Sequence, residues 1–80
     1  MRIDKFLKDS RIIKRRTIAK EACDSSRVYI NGKVAKAGDE VKPGDIVEIQ
    51  FGNKNLKIEI VNVKENVSKA ESTEMYKIIE

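Results

Sequence analysis

Eighty residues make one domain, and a domain of this size buries only about 60 to 65% of its unfolded surface, so a small binding module is expected and a deep catalytic cleft is not. The chain has no histidine and a single cysteine, Cys23, which leaves it without the usual zinc ligands, the commonest general base or an internal disulfide, and no cofactor is expected. Its net charge of +4 is polarised: residues 1–36 carry eleven Lys or Arg against four Asp or Glu, while residues 37–80 carry six against nine. A folded basic half of this kind is first of all a surface for a polyanion.

Ile3, Phe6 and Leu7 fall at i, i+3 and i+4, which predicts a helix of about two turns with Asp4 as its N-cap. Ile12 and Ile13 are expected to pack in the joint. Ile18, Ala19, Ala22 and Cys23 then repeat at helical spacing as the inner side of a second helix, leaving Arg16 and Lys20 four apart on another face. That helix should stop near Asp24-Ser25-Ser26, whose short polar side chains compete for backbone hydrogen bonds.

Beyond Ser26 the period changes to two. Val28 and Ile30 flank an outward Tyr29, and Asn31-Gly32 is a strong signal for a type I′ hairpin returning along Lys33-Val34-Ala35. Pro43-Gly44 marks a turn that presets φ at one residue and needs a positive φ at the next. Val47, Ile49 and Phe51 then alternate on one side, Gly52-Asn53-Lys54-Asn55 turns the chain, and Leu56, Ile58 and Ile60 alternate again. The fold class that follows is α+β, with two short basic N-terminal helices packed on a small, mostly antiparallel sheet. A boundary near Glu65 separates a domain over residues 1–64 from a C-terminal appendage over 65–80. In the appendage Ser68 to Met75 includes a helical turn, and Met75, Tyr76, Ile78 and Ile79 form an apolar patch expected to dock.

Lys14, Arg15 and Arg16 crowd the start of the second helix, where open N–H groups already make the potential positive. Each cation there forgoes or opposes about 0.3 to 1 kcal/mol of dipole interaction, so a phosphate makes sense of the arrangement. Arg16 is its expected centre, because a guanidinium can hold a phosphate through two parallel hydrogen bonds. Arg2, Lys5, Arg11, Lys20 and Arg27 extend the face, each as a backbone contact that reads no sequence; Lys8 is expected to be solvated. Four phosphate contacts imply a log affinity falling with log salt at a slope of roughly −3 to −4. Asp4 is a cap or a carboxylate aligning arginines, Cys23 a small core residue, and Tyr29 either a base-stacking ring or a half-buried strand residue. Structured RNA held by its backbone fits this set better than splayed bases.

The order and spacing of Arg2-Ile3-Asp4-Lys5-Phe6-Leu7, Arg16-Thr17-Ile18-Ala19-Lys20, Arg27-Val28-Tyr29-Ile30-Asn31-Gly32 and Val41-Lys42-Pro43-Gly44-Asp45-Ile46-Val47 resemble the S4-type RNA-binding domain over about residues 1–52. Since that domain is nearly the whole chain, the sequence is similar to the stand-alone bacterial members, the Hsp15-like family. The resemblance implies the alpha-L arrangement of the helices and a role on large ribosomal subunits obstructed by peptidyl-tRNA. There such a protein would hold the tRNA and ribosomal RNA while a tail-elongating protein adds alanine without mRNA. It implies an RNA-binding cofactor and not the enzyme, a monomer off the ribosome, with Arg2, Lys5, Arg11, Lys14, Arg15, Arg16 and Lys20 on the RNA face. Two positions depart from the family pattern: Arg15 stands where Ser or Thr is common, and Ser26 where Gly is.

No apolar leader follows Arg2 and no run of about 18 apolar residues occurs, so a cytoplasmic protein without a membrane span is expected. Other readings are a ribosome-assembly or general ribosomal RNA factor and, from a different class, a protein-interaction adaptor using the acidic second half or the Met75 to Ile79 patch. An enzyme would need nucleophilic chemistry at Cys23.

Overall fold

A computed structural model describes residues 1–64 and 67–79, so the boundary expected at Glu65 lies outside the described residues. In chain order the elements are α1 (Ile3–Asp9), α2 (Arg16–Asp24), β1 (Val28–Ile30), β2 (Lys33–Val34), β3 (Ile46–Phe51), β4 (Lys54–Ile60), α3 (Lys69–Ser72) and β5 (Tyr76–Ile78). The strands form one antiparallel sheet in the order β2-β1-β3-β4-β5, with helices packed on one side, which is the expected α+β class. Val28, Val47, Ile49, Ile58 and Ile60 point from the sheet into the core and meet Ile3, Phe6 and Leu7 of α1. Ala19 and Cys23 line the inner side of α2, small enough for the two helices to lie close.

The start of α1 differs from the sequence expectation. Its N-cap is Arg2, in extended conformation and without a side-chain cap, while Asp4 lies inside the first turn and is buried. The cause is long-range. Arg2 forms an antiparallel bridge with Glu40, and the Ile3 and Asp4 N–H groups donate to Asp39 O at 2.7 Å and Ala37 O at 3.4 Å. The loop over 37–40 thus satisfies the open end of the helix, and the Asp4 carboxylate is released for another role.

Both helices end in the left-handed region. Ser26 has φ +60°, its N–H reaches Cys23 O at 3.0 Å, and the Arg27 N–H reaches Ala22 O at 2.9 Å, the paired bonds of a Schellman ending in which glycine is usual. Serine there costs on the order of 1 kcal/mol relative to glycine. Arg11, with φ +63°, takes the equivalent place after α1 and donates its N–H to Lys8 O at 3.0 Å.

Two apolar residues are more open than their periodicity suggests. Ile18 is 47% exposed, because Ala19 and Cys23 define the inner stripe and Ile18 sits a third of a turn off it. Phe51 is 42% exposed at the last position of β3, where it borders an open groove with Ile18 and Ala22 of α2. The β3–β4 turn is also tighter than four residues: Phe51 pairs with Lys54 and Gln50 with Asn55, leaving Gly52, at φ +56°, and Asn53 to reverse the chain.

Asn31 and Gly32 both have positive φ, as a type I′ turn demands. The Asn31 side chain then ties this hairpin to β3, accepting from the Ile46 N–H at 2.9 Å and donating to Asp45 at 3.2 Å. Burial raises the pKa of the Asp45 carboxyl, but bonds from the Lys42 N–H and Asn31, with the Lys42 ammonium nearby, outweigh it and hold the group below its usual range. After α3, whose Ser68 and Glu71 form a reciprocal capping box, Met75 is fully buried and β5 pairs with β4.

Candidate nucleic-acid interface

The helix side gathers its cations around two carboxylates, one buried (Asp4) and one half-buried (Asp9). At the first, Asp4 Oδ1 lies 3.3 Å from Arg2 Nε and accepts from the Lys5 N–H at 2.8 Å, while Asp4 Oδ2 lies 3.4 Å from both Arg2 Nη2 and Arg16 Nε. Such distances exceed the 2.7 to 2.9 Å typical of a saturated charge-assisted bond, and a guanidinium has five N–H donors. The carboxylate therefore orients both forks and leaves most of their donors for something else. Each Arg side chain is 48% exposed, and with Thr17 and Lys20 they rim a shallow depression.

Arg16 is also the first residue of α2. No side chain caps that helix and no acid occupies its first turn, so its leading N–H groups remain open beside the guanidinium. An anion seated there meets backbone donors, the helix dipole and an oriented fork together.

The second carboxylate is Asp9, which takes the Lys5 ammonium at 2.8 Å and has Lys8 at 3.7 Å. Lys5, Lys8, Arg11 and Lys14 share the depression beside it. Of the eight expected site residues, Arg2, Arg16 and Lys20 thus meet at Asp4, Lys5, Arg11 and Lys14 meet near Asp9, and Arg15 is exposed between the groups at the N-cap of α2. Arg27 is not brought to either. It lines a separate groove with Ile18, Ala22 and Phe51. Lys8, expected to be solvated, has its side chain 52% exposed while lining the same depression as Lys5, Arg11 and Lys14.

Among the described residues no group of three or more His, Cys, Asp or Glu side chains is placed to hold a metal ion, and no helix is long and apolar enough to cross a membrane. Cys23 is buried against α1, and burial, reinforced by Asp4, Asp24 and Asp39, pushes its thiol up to about 11. At neutral pH it is a protonated core residue and a poor nucleophile.

The model of the S4 domain matches residues 1–47, which contain α1, α2, the first hairpin and both carboxylate-centred clusters. This chain belongs to the S4 domain family. The chain is 56% identical over 78 residues to an RQC P-site tRNA stabilizing factor of Halalkalibacterium halodurans, covering 98% of this chain and 89% of that one. It is 49% identical over 79 residues to the factor of the same name from Bacillus subtilis, covering 99% and 92%. Among solved structures it resembles the trimeric heat shock protein 15 of Vibrio cholerae, at 25% identity and a TM-score of 0.90, over 99% of this chain and 81% of that one. The likeness to these relatives therefore extends through α3 and β5, well past the residues that the domain model matches.

Proposed function

We propose that this chain is an RNA-binding factor of ribosome-associated quality control. It binds large ribosomal subunits obstructed by peptidyl-tRNA, holds ribosomal RNA and tRNA backbones against its helix side, and steadies the tRNA while a tail-elongating protein on the same subunit adds alanine to the stalled chain without mRNA. Its place is then the cytoplasm, on the ribosome, and the bond-forming chemistry belongs to its partners.

The observation that carries this reading is the pair of half-exposed arginines, Arg2 and Arg16, oriented by one buried carboxylate beside the uncapped start of α2. That arrangement suits a phosphodiester and reads no base. Support for the tRNA comes from relatives aligned over almost the whole chain, which are RQC P-site tRNA stabilizing factors.

The test is sedimentation of the tagged protein from cells on a sucrose gradient, with Arg16→Ala alongside and the bound fractions probed for peptidyl-tRNA. Wild type is expected with tRNA-bearing large subunits and the variant at the top of the gradient. Wild type on every ribosomal fraction, independent of tRNA and of Arg16, would replace this reading with that of a general ribosomal RNA or assembly factor.

A further inference from the structure

Lys69 lies outside the residues matched to the S4 domain and far from the basic cluster in sequence, yet the fold brings it there. Arg11 and Lys14 form a ridge in the joint between α1 and α2. On one side of the ridge is the depression shared with Lys5, Lys8 and Asp9; on the other is a larger one, of about 390 Å³, closed by Lys69 and Thr73 of the α3 region and by Tyr76 of β5.

This second depression differs from the rest of the basic surface in having no acidic residue in its lining. Among the described residues Arg11, Lys14 and Lys69 have no carboxylate within 4 Å, whereas Arg2, Lys5, Lys8 and Arg16 all do. The neighbouring Ser10, Ser72 and Thr73 hydroxyls donate to helix carbonyls of Leu7, Lys69 and Ala70, so the side-chain donors left for a ligand are the three cations and the Tyr76 hydroxyl. Three cations lining one concavity, none with a carboxylate within 4 Å among the described residues, suit a phosphodiester of an RNA backbone.

Arg11 adds an independent sign. It sits at φ +63° after α1, a place that glycine fills without strain, so a bulky cation is retained against a backbone preference. The α1 dipole favours a positive charge there and offsets part of that preference. Neither effect explains why Lys69, from the far end of the chain, faces the same space.

We propose that the C-terminal segment completes a second RNA-phosphate site, in which Lys69 joins Arg11 and Lys14 beside Tyr76. The site deepens the RNA-binding reading above and rests on it. From Arg2 to Arg11 the chain advances nine residues, mostly along α1, or about 13 Å at 1.5 Å per residue, so the two sites grip different phosphates.

The experiment is equilibrium binding of the full-length chain to bulk deacylated tRNA between 50 and 200 mM KCl, comparing wild type with Lys69→Gln, Arg11→Gly, Arg16→Ala and, as a control, Lys54→Gln at the β3–β4 turn. Arg11→Gly relieves the positive φ, so it should melt no lower than wild type, and a binding defect in it cannot be assigned to misfolding. Lys69→Gln and Arg11→Gly should each reduce the log–log salt slope by about 1, which makes the affinity loss across this salt range about fourfold smaller, while Lys54→Gln keeps the wild-type slope. Wild-type slopes in both Lys69→Gln and Arg11→Gly, with Arg16→Ala defective, overturn the second site and leave the proposed function standing. Reduced slopes in those two with Arg16→Ala unaffected uphold the second site and remove the arginine clamp from the proposed function.

Discussion

On the open face of the sheet Glu48 stands opposite Lys57 and Glu59 opposite Lys77, whereas on the helix side Arg2 and Arg16 share one buried carboxylate and Arg11, Lys14 and Lys69 have none among the described residues. Both faces are rich in charge. Cross-strand pairing cancels the field of the first within a few ångströms, while the second keeps an excess of one sign. Net charge alone therefore says little about where a polyanion would sit; the distribution of acids among the bases decides it. Buried acids on the helix side also act differently from exposed ones on the sheet. Asp4 fixes the direction of two guanidiniums, whereas Glu59 and Lys77, at 3.7 Å and largely solvated, contribute at most a few tenths of a kcal/mol.

The contrast breaks most sharply at Asp4. Replacing Asp4 by Asn raises the net charge by one, so a surface that worked by charge alone would bind RNA more tightly. If orientation matters, affinity for the tRNA probe should instead fall about tenfold, equivalent to about 1.4 kcal/mol, as measured by titration at fixed salt. A smaller effect is expected at Asp45, which anchors the first hairpin and not the basic side. Its folded pKa lies below the usual value of 3.8, so the stability it contributes is fully present above that value and is lost as pH falls through the folded one. Asp45→Asn should lower stability at pH 7 on the order of 1 kcal/mol and flatten the acid limb below pH about 4 in urea titrations, with RNA binding unchanged at neutral pH. The smallest effect belongs to the sheet face. Glu48→Gln should change stability by less than about 0.5 kcal/mol and leave tRNA affinity within twofold; a clear gain in binding would mean that RNA also reaches the sheet.

What the sequence made legible was local. The α1 stripe, the Asn31-Gly32 turn and the Pro43-Gly44 turn each depend on a few neighbouring residues, and each occurs in the structure where its pattern puts it. The misplacements have distant causes. Asp4 is not a cap because the 37–40 loop, more than thirty residues away, already satisfies the end of α1. Phe51 alternates correctly yet stays exposed because the groove that it lines with Ile18 and Ala22 of α2 is open. The clustering of Arg2, Arg16 and Lys20 follows from helical spacing and the packing of two helices, but Arg27 was grouped with them on charge and lies in another groove. Lys69 had no local signal, since its neighbours are defined only when α3 and β5 fold back on the joint.

The two ends of the sheet carry a further implication for a protein that must stay dispersed among other chains. Its outer strands are β2, two residues long, and β5, three residues long with Lys77 at its centre. A foreign strand seeking to extend the ladder would find only two or three backbone partners on either side, and beside β5 it would also have to desolvate an ammonium. Ile78 and Ile79, 62% and 42% exposed, thereby lack the long, flat edge from which ordered aggregates grow.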